Sequence, residues 1–243
     1  MTTLTLQDVD NRVKGRLALV TGATGGIGSA CARALAAEGC DVALHYASSE
    51  EKAEALATSL REAHPSQLFT TIRADLSDRA ATRSLVPTLL GREAVTARGH
   101  AAVSVLVANA GMGRRIRDVA NIGEDDWDDI LEVNARSQFV VTKACVEGMR
   151  RQGWGRVVLV GSIASRGGGI NGCHYAASKG AMTTWKSTDH VEELKASDPG
   201  LGIAASVPVH RLGVPEEVAN VVSMFVKTGY MTGQEVLLAG GLK

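Results

Sequence analysis

Three polar residues in the second half of the chain have the types and the spacing of a proton-transfer site. Tyr175 and Lys179 lie four positions apart, so a helix would place both side chains on one face. An ammonium beside a phenol favours the phenolate and lowers a pKa that is normally about 10. Ser162, thirteen positions before the tyrosine, can hydrogen-bond the same substrate oxygen. The set predicts proton exchange with a carbonyl or alcohol oxygen near neutral pH.

A glycine-rich stretch near the start of the chain predicts a dinucleotide site. It reads TGATGGIG, and it lies between a short apolar run and an alanine-rich helical stretch. Glycines let the backbone turn tightly and approach a pyrophosphate, and the amino terminus of the following helix offers free N–H groups. The residues assigned to this cradle are Gly22, Thr24, Gly25, Gly26, Ile27 and Gly28.

The end of the second predicted strand indicates which dinucleotide is bound. The sequence there is HYASS, without the carboxylate that would bind a ribose 2′-hydroxyl. Ser48 and Ser49 can instead donate hydrogen bonds to a 2′-phosphate, and either one can also cap the next helix. The missing carboxylate and these two serines favour NADP(H) over NAD(H), and the neighbouring Tyr46 is also assigned to the cofactor site.

Short β-rich runs alternate with helix-length stretches along the whole chain. The predicted strands are 17–21, 41–46, 69–73, 103–108, 156–160 and 235–238. The predicted helices are 26–38, 50–63, 79–90, 125–151, one that opens at Tyr175, and 215–226, whereas the polar stretch 91–100 predicts a loop. The alternation predicts an α/β fold, a single-domain Rossmann-type doubly wound parallel sheet with helices on both faces. Residues 1–15 are predicted to form an N-terminal extension of that domain.

Composition and charge argue against several other classes of protein. The 26 Lys and Arg residues balance the 26 Asp and Glu residues, and aromatic residues make up 4%, which disfavours nucleic acid as a partner. No apolar run approaches the roughly 18 residues of a membrane span. The four cysteines show no CxxC spacing, so we expect no metal site and no disulfide framework, and a reducing cytoplasm is the predicted location.

Taken together, the motifs resemble the short-chain dehydrogenase/reductase family. The glycine pattern, the Asn109-Ala110-Gly111 turn after the fourth strand, Ser162 and the YAASK sequence of Tyr175 and Lys179 occur in the family's order. The stretches VALHYASSEEKAEAL and RLGVPEEVANVV look most like the β-ketoacyl-[acyl carrier protein] reductase branch. The resemblance extends from about residue 16 to residue 241.

The resemblance implies roles for further residues. Lys179 would also grip the nicotinamide ribose, with Tyr175 beside it, and Asn134 would hold a water of a proton relay. The residues that would line the adenosine side are Asp75, Leu76, Asn109, Ala110 and Gly111.

The resemblance also implies an activity, the NADPH-dependent reduction of a carbonyl. The best match is a 3-oxoacyl thioester, small or bound to an acyl carrier, in a homotetramer or homodimer. A polyol, a ketose or another ketone is the alternative substrate, and a catalytically impaired nucleotide-binding subunit is the alternative function. Arg114, Arg115 and Arg117 form either a solvated charge run or a contact for an acidic carrier or a phosphopantetheine.

Two features depart from the family pattern. Thr24 stands where NADPH-preferring members usually carry a basic residue. After Trp185 the chain is short by roughly twenty residues relative to a full doubly wound sheet, so the sixth strand and the substrate loop are shortened or missing. Residues 202–208 could supply a rewritten sixth strand, or the strand is absent and 191–206 is a remnant of the loop, which we favour. A third alternative is that the sequence omits a segment that the molecule contains.

Overall fold

Apolar, β-branched runs form one parallel sheet. The computed structural model describes residues 10–167, 172–182, 208–209, 211–231 and 233–240. Within these residues the strands are β1 (Leu17–Val20), β2 (Asp41–Tyr46), β3 (Phe69–Arg73), β4 (Val105–Ala108) and β5 (Arg156–Leu159). Their order is β3-β2-β1-β4-β5, and every neighbouring pair is parallel. Successive strands are added on one side of β1 up to β3 and on its other side from β4 onward. The order of the strands thus reverses between β1 and β4, and a ligand crevice is expected at the carboxyl ends of these two strands.

Helices cover both faces of this sheet. They are α1 (Gly26–Ala37), α2 (Glu50–Ala63), α3 (Arg79–Leu90), α4 (Glu93–Thr96), α5 (Glu124–Leu131), α6 (Ser137–Arg151), α7 (Ala164–Gly167), α8 (Cys173–Gly180) and α9 (Pro215–Lys227). A 3₁₀ turn spans Val119–Asn121, and a π-helical turn spans Glu132–Arg136. In the described part of the chain, no helix is both long enough and apolar enough to cross a membrane.

Alternate residues of β1 supply two separate cores, one on each side of the sheet. Ala18 and Val20 pack into a cluster that includes side chains of α1, α2 and α9. Leu17 and Leu19 pack into a second cluster with side chains of α3 and α6. All four residues are fully buried, as period-two alternation requires when both faces of a sheet are covered. The predicted doubly wound α/β fold is confirmed.

The predicted last strand is wrong. Residues 235–238 lie within the described part of the chain but pair with no strand there. A strand exists only where a neighbour completes its hydrogen-bond ladder, and β5 pairs only with β4 in this part of the structure. The proposed loss of the sixth strand and the substrate loop falls on residues 183–207, which lie outside the described residues.

Two other expectations are corrected by tertiary contacts. The stretch 91–100 is not simply a loop, because it contains α4, whose Val95 is fully buried. The predicted helix 125–151 is not continuous, because the π-helical turn Glu132–Arg136 separates α5 from α6. Such turns insert one residue into a helix and are frequent at functional sites. The turn carries Asn134.

Candidate active site

The glycine loop after β1 forms a cradle that side chains could not occupy. Gly22 has φ +64°, and a Cβ built on it would lie 2.9 Å from Ala110 Cα. A Cβ built on Gly28 would lie 2.2 Å from the Gly22 carbonyl oxygen. Gly25 then occupies the N-cap of α1, and its neighbours Thr24 and Gly26 are partly exposed. The cradle therefore brings bare backbone and a helix amino terminus together, which suits a pyrophosphate.

The Asn-Ala-Gly turn after β4 supports this cradle from behind. The Thr21 hydroxyl oxygen accepts hydrogen bonds from the N–H groups of Asn109 and Ala110, at 2.9 and 3.0 Å. Asn109 Nδ2 donates to the Thr21 and Gly22 carbonyl oxygens, at 3.0 and 3.2 Å. Asn109 Oδ1 is buried without a hydrogen-bond partner in the described structure, although buried acceptors are normally satisfied. A cradle free of side chains and an orphaned acceptor beside it fit a bound dinucleotide.

The residues predicted for the adenosine side follow the neighbouring strands but contribute differently. Ser48 is exposed beyond β2, and Ser49 is the N-cap of α2 without a side-chain capping bond. Tyr46 is buried at the end of β2. Asp75 is exposed after β3, and its Oδ1 accepts hydrogen bonds from the N–H and the hydroxyl of Ser77, which hold the pKa of this carboxyl below its usual value.

Two predicted contacts of the cofactor have side chains that point into the core. Leu76 is 4% exposed and packs in the second apolar cluster, and Ile27 is 3% exposed and packs in the first. Each can therefore reach a nucleotide only through its main chain.

Tyr175 and Lys179 lie on α8 and are both buried, at 4% and 2% exposure. Lys179 Nζ donates a 3.0 Å hydrogen bond to the carbonyl oxygen of Val160, just after β5. A lysine in such a position needs polar partners, because an isolated buried ammonium is very costly. Helical spacing puts the phenol and the ammonium on one face of α8, as predicted.

Ser162 lies in the loop after β5, and its hydroxyl oxygen accepts one hydrogen bond from the backbone. Its Oγ accepts a hydrogen bond from the Ala164 N–H at 3.1 Å, at the start of α7. A serine hydroxyl has one proton to donate as well as lone pairs to accept. The backbone contact orients this hydroxyl, and no described residue accepts its proton, so it can donate to another oxygen.

Asn134 connects the loop after β4 to the helix that carries Tyr175. Its Oδ1 accepts from the Met112 N–H at 2.6 Å, and its Nδ2 donates to the Met112 carbonyl at 2.9 Å and to Ser178 Oγ at 3.0 Å. Ser178 Oγ in turn donates to the Tyr175 carbonyl at 2.7 Å. The side-chain amide is fully buried, and its hydrogen bonds align the loop after β4 with α8. Because both polar atoms of the amide are used, the predicted role in holding a water would fall to the main chain of Asn134.

The arginines after the Asn-Ala-Gly turn differ from one another. Arg114 pairs with Asp126 and Asp129 on α5, whereas Arg117 is exposed. Arg115 has a buried Nη2 atom without a hydrogen-bond partner in the described part of the chain. The same loop continues to Ile116, whose carbonyl lies so close to Gly172 that a Cβ there would be 2.0 Å away. Arg115 therefore lies on a segment held against the start of α8.

Two residues beside the candidate cofactor site have signals too weak for the sequence to single them out. His45 is fully enclosed at 1% exposure between the glycine loop and the segment after β3. Arg73 ends β3 in register with Tyr46 and donates from Nε to the Ala47 carbonyl at 3.3 Å. Only their position at the carboxyl ends of strands could have indicated them.

A groove of about 380 Å³ lies on another side of α8. Val119, Ile122 and Trp127 line it opposite Cys173. Side chains two positions apart in a helix point about 200° apart, so Cys173 and Tyr175 face different ways. None of the predicted site residues lines this groove.

Known proteins resemble the chain over most of its length. The family model for short chain dehydrogenases matches residues 16–196. The human (3R)-3-hydroxyacyl-CoA dehydrogenase is 31% identical, covering 96% of this chain and 98% of that protein. The 3-oxoacyl-[acyl-carrier-protein] reductase FabG of Escherichia coli is 30% identical, covering 94% and 98%. A short chain dehydrogenase from Burkholderia cenocepacia, solved with NADP, superposes with a TM-score of 0.78 at 26% identity, covering 95% and 98%.

The alignment to the human relative also bears on chain length. It runs over 262 residues, whereas this chain has 243, so gaps must open in this chain.

Proposed function

The chain belongs to the short-chain dehydrogenase/reductase family and is an oxidoreductase that uses a nicotinamide nucleotide; on that premise we propose that it reduces 3-oxoacyl thioesters with NADPH. The observation that supports catalysis is the buried Tyr175 and Lys179 pair on one face of α8, with Ser162 in the loop after β5. The names of the human and Escherichia coli relatives support the thioester substrate.

The chemistry assigns each side chain one task. When bound, the reduced nicotinamide supplies a hydride to the carbonyl carbon and leaves as its oxidised form. Tyr175 donates its phenolic proton to the carbonyl oxygen as the C=O π bond breaks, so the product is a secondary alcohol. The Ser162 hydroxyl donates a hydrogen bond to the same oxygen and stabilises its developing charge. Lys179 favours the phenolate that remains and is the residue assigned to the nicotinamide ribose.

Charge at the tip of β2 supports NADPH. The exposed Arg73 lies against Ala47, one residue before Ser48, and has no ion-pair partner in the described part of the chain. A guanidinium there can pair with a 2′-phosphate, whereas a carboxylate would repel it. Arg73 thus replaces the basic residue that the glycine loop lacks at Thr24.

The loop after β4 supports a substrate that carries an anionic group. Arg114 is neutralised by two aspartates, but Arg115 keeps a buried nitrogen without a partner among the described residues. Phosphates of coenzyme A or phosphopantetheine would supply that partner. A neutral ketose or polyol would offer hydroxyl acceptors but no negative charge to pair with the guanidinium.

The test measures the rate at which the protein oxidises NADPH or NADH, first with acetoacetyl-CoA as the substrate and then with a ketose as the alternative substrate. We expect turnover with acetoacetyl-CoA and a preference for NADPH. Arg73→Met should weaken NADPH binding about tenfold and leave NADH binding unchanged, because only the 2′-phosphate loses a partner. The exposed Arg83→Met on α3 is the control for loss of a positive charge. Equal use of both cofactors, or activity confined to the ketose, would contradict the proposal.

We also infer a homotetramer or homodimer in a reducing cytoplasm. Phe139 on α6 is 54% exposed and would lose that apolar surface to water in a subunit contact. The cysteines Cys31, Cys40 and Cys145 are buried free thiols whose pKa values burial raises to about 12. Light scattering after size-exclusion chromatography tests the assembly, and a monomer would refute it.

A further inference from the structure

A buried histidine joins the two segments of the structure that would contact the adenosine half of the cofactor. His45 lies next to the end of β2 and is 1% exposed. Its Nδ1 accepts a hydrogen bond from the Gly22 N–H at 3.1 Å, and its Nε2 lies 2.9 Å from the Ala74 carbonyl oxygen. An amide can only donate and a carbonyl can only accept, so Nδ1 carries no proton and Nε2 carries one. The imidazole is therefore neutral and bound at both ends.

The surrounding backbone shows what this ring holds in place. Gly22 adopts φ +64° and packs against Ala110, and the next N–H, that of Ala23, donates to the His45 carbonyl at 2.9 Å. On the other side, the Ala74 N–H donates to the Tyr46 carbonyl at 3.0 Å, and Asp75 follows directly. The ring thus fixes the turn of the glycine cradle relative to the segment after β3. Burial lowers the pKa of His45 to about 4, so the neutral form persists at working pH.

We propose that His45 is a positioning residue of the dinucleotide site, which holds Gly22 and the Asp75 segment at the separation that the adenosine diphosphate half of the cofactor requires. It does not touch the reacting atoms. Its effect is on cofactor affinity, and the rate of hydride transfer in the loaded enzyme is independent of it. The inference rests on a nucleotide site at this edge and not on the thioester substrate.

The competing explanation is a histidine that only fills the core. Such a residue would affect stability and leave nucleotide affinity unchanged. His100 provides the matched control, because it is also largely buried and hydrogen-bonded, but its partner Asp41 lies at the opposite end of β2.

The experiment compares His45→Leu, His45→Asn, His45→Gln and His100→Leu with the wild type. Isothermal titration gives the Kd for NADPH and for 2′,5′-ADP, and thermal unfolding gives Tm. We expect His45→Leu to weaken both ligands at least about tenfold, with kcat at saturating NADPH changed less than about threefold. His45→Asn retains an acceptor at the Nδ1 position and should recover most of the affinity. His45→Gln retains only a donor near the Nε2 position and should recover less.

His100→Leu should lower Tm while both Kd values stay at the wild-type level. The inference is overturned if His45→Leu lowers Tm but binds both ligands with wild-type affinity. If His45→Leu does not fold, the Asn and Gln variants decide, and equal, wild-type affinities in both would overturn it. A wild-type protein that binds neither ligand would remove the nucleotide site itself, whereas wild-type binding without acetoacetyl-CoA turnover would refute only the thioester substrate.

Discussion

The two ends of the same sheet treat their polar groups in opposite ways. At the amino ends, Asp41 opens β2 and accepts hydrogen bonds from the Leu68 N–H, from Arg98 through two nitrogens, and from His100. Every one of these bonds is 2.7 to 3.0 Å long. At the carboxyl ends, buried polar atoms lack partners among the described residues: Asn109 Oδ1, Gln138 Oε1, Arg115 Nη2 and both ring nitrogens of His174.

The different hydrogen-bonding of the two edges indicates different roles, folding stability at one and ligand binding at the other. Buried polar groups that satisfy one another hold the fold together, and orphaned ones cost free energy unless a ligand or water satisfies them. The hydrogen bonds of Asp41 at the amino edge therefore stabilise the fold, and the carboxyl edge is where we propose that ligands bind. Changes at the amino edge should alter Tm and leave binding unchanged, whereas changes at the carboxyl edge should alter binding or turnover, with an added effect on stability at the hydrogen-bonded His45.

The largest effect is expected at the carboxyl edge from Lys179→Met. The variant keeps about the same side-chain length but removes the ammonium that bonds the Val160 carbonyl and that, in our proposal, favours the Tyr175 phenolate. We expect kcat to fall by about 10³-fold, within the range of general acid–base catalysis. The control is Lys227→Met on α9, whose half-exposed ammonium pairs with Glu38 far from the site. Comparable losses in the two variants would contradict the role of Lys179.

The next effect is expected at the amino edge from Asp41→Ala. The substitution leaves Arg98, His100 and the Leu68 N–H without their acceptor, which should cost roughly 3 kcal/mol of the free energy of unfolding. Denaturant unfolding measures this loss, and the Kd for NADPH should not change. Asp10→Ala, which removes ion pairs of a solvent-accessible carboxylate with Arg12 and Arg16, should cost less than about 1 kcal/mol. A changed Kd in Asp41→Ala would show that the two edges are coupled.

Acid should destabilise the protein in a window set by His45. Its pKa is about 4 in the folded protein, against about 6.5 when unfolded, so the unfolded chain binds more protons between these values. Stability is fully present above pH 6.5 and falls by roughly 3 kcal/mol as the pH drops to 4. Denaturant unfolding across this window measures the slope, and His45→Asn should flatten it. A slope that is unchanged in His45→Asn would contradict the neutral, buried ring.

A further loss of folding stability is expected at pH values below the range in which His45 titrates. Burial opposes ionisation of Asp41, but the hydrogen bonds from Arg98, from the Leu68 N–H and from His100 outweigh it and hold the pKa of this carboxyl below its usual value. Its contribution to stability is therefore present above the ordinary value near 3.8 and is lost as the pH falls further. Asp41→Ala should lack this second step.

The smallest of these effects is expected from Gly28→Ala. The added methyl would lie 2.2 Å from the Gly22 carbonyl oxygen and 2.9 Å from Asn109 Nδ2, so the cradle must shift. We expect the Kd for NADPH to rise roughly tenfold, since a shift of the backbone removes its close approach to the phosphates. Gly91→Ala is the control, because a Cβ there meets its nearest atom at 3.4 Å and φ is −81°. Wild-type affinity in Gly28→Ala would contradict the cradle.

Local pattern was enough to predict most of the fold and the main motifs. Strands β1, β2 and β3 end within one residue of the predicted bounds, and α2 and α3 match theirs. The glycine loop is readable because a tight turn between a strand and a helix requires glycine. The spacing of Tyr175 and Lys179 is readable because a helix has a fixed period.

Features that depend on distant contacts were not predictable. His45 bonds Gly22 across 23 positions and Ala74 across 29, and no local signal marks either bond. The π-helical turn exists where the Asn134 amide meets Met112 and Ser178, which are 22 and 44 positions away. A helical period predicts α6 but not the extra residue that the turn inserts before it.

We propose that Tyr175 at the carboxyl edge is the proton donor of a nicotinamide-dependent reductase. The most direct test is steady-state reduction of acetoacetyl-CoA by Tyr175→Phe, with Tyr230→Phe as the control, because Tyr230 is 99% exposed. We predict that kcat falls by about 10³-fold in Tyr175→Phe, while the Kd for NADPH stays within about threefold of the wild type. A Tyr175→Phe enzyme that retained more than about a tenth of the wild-type kcat would contradict the account.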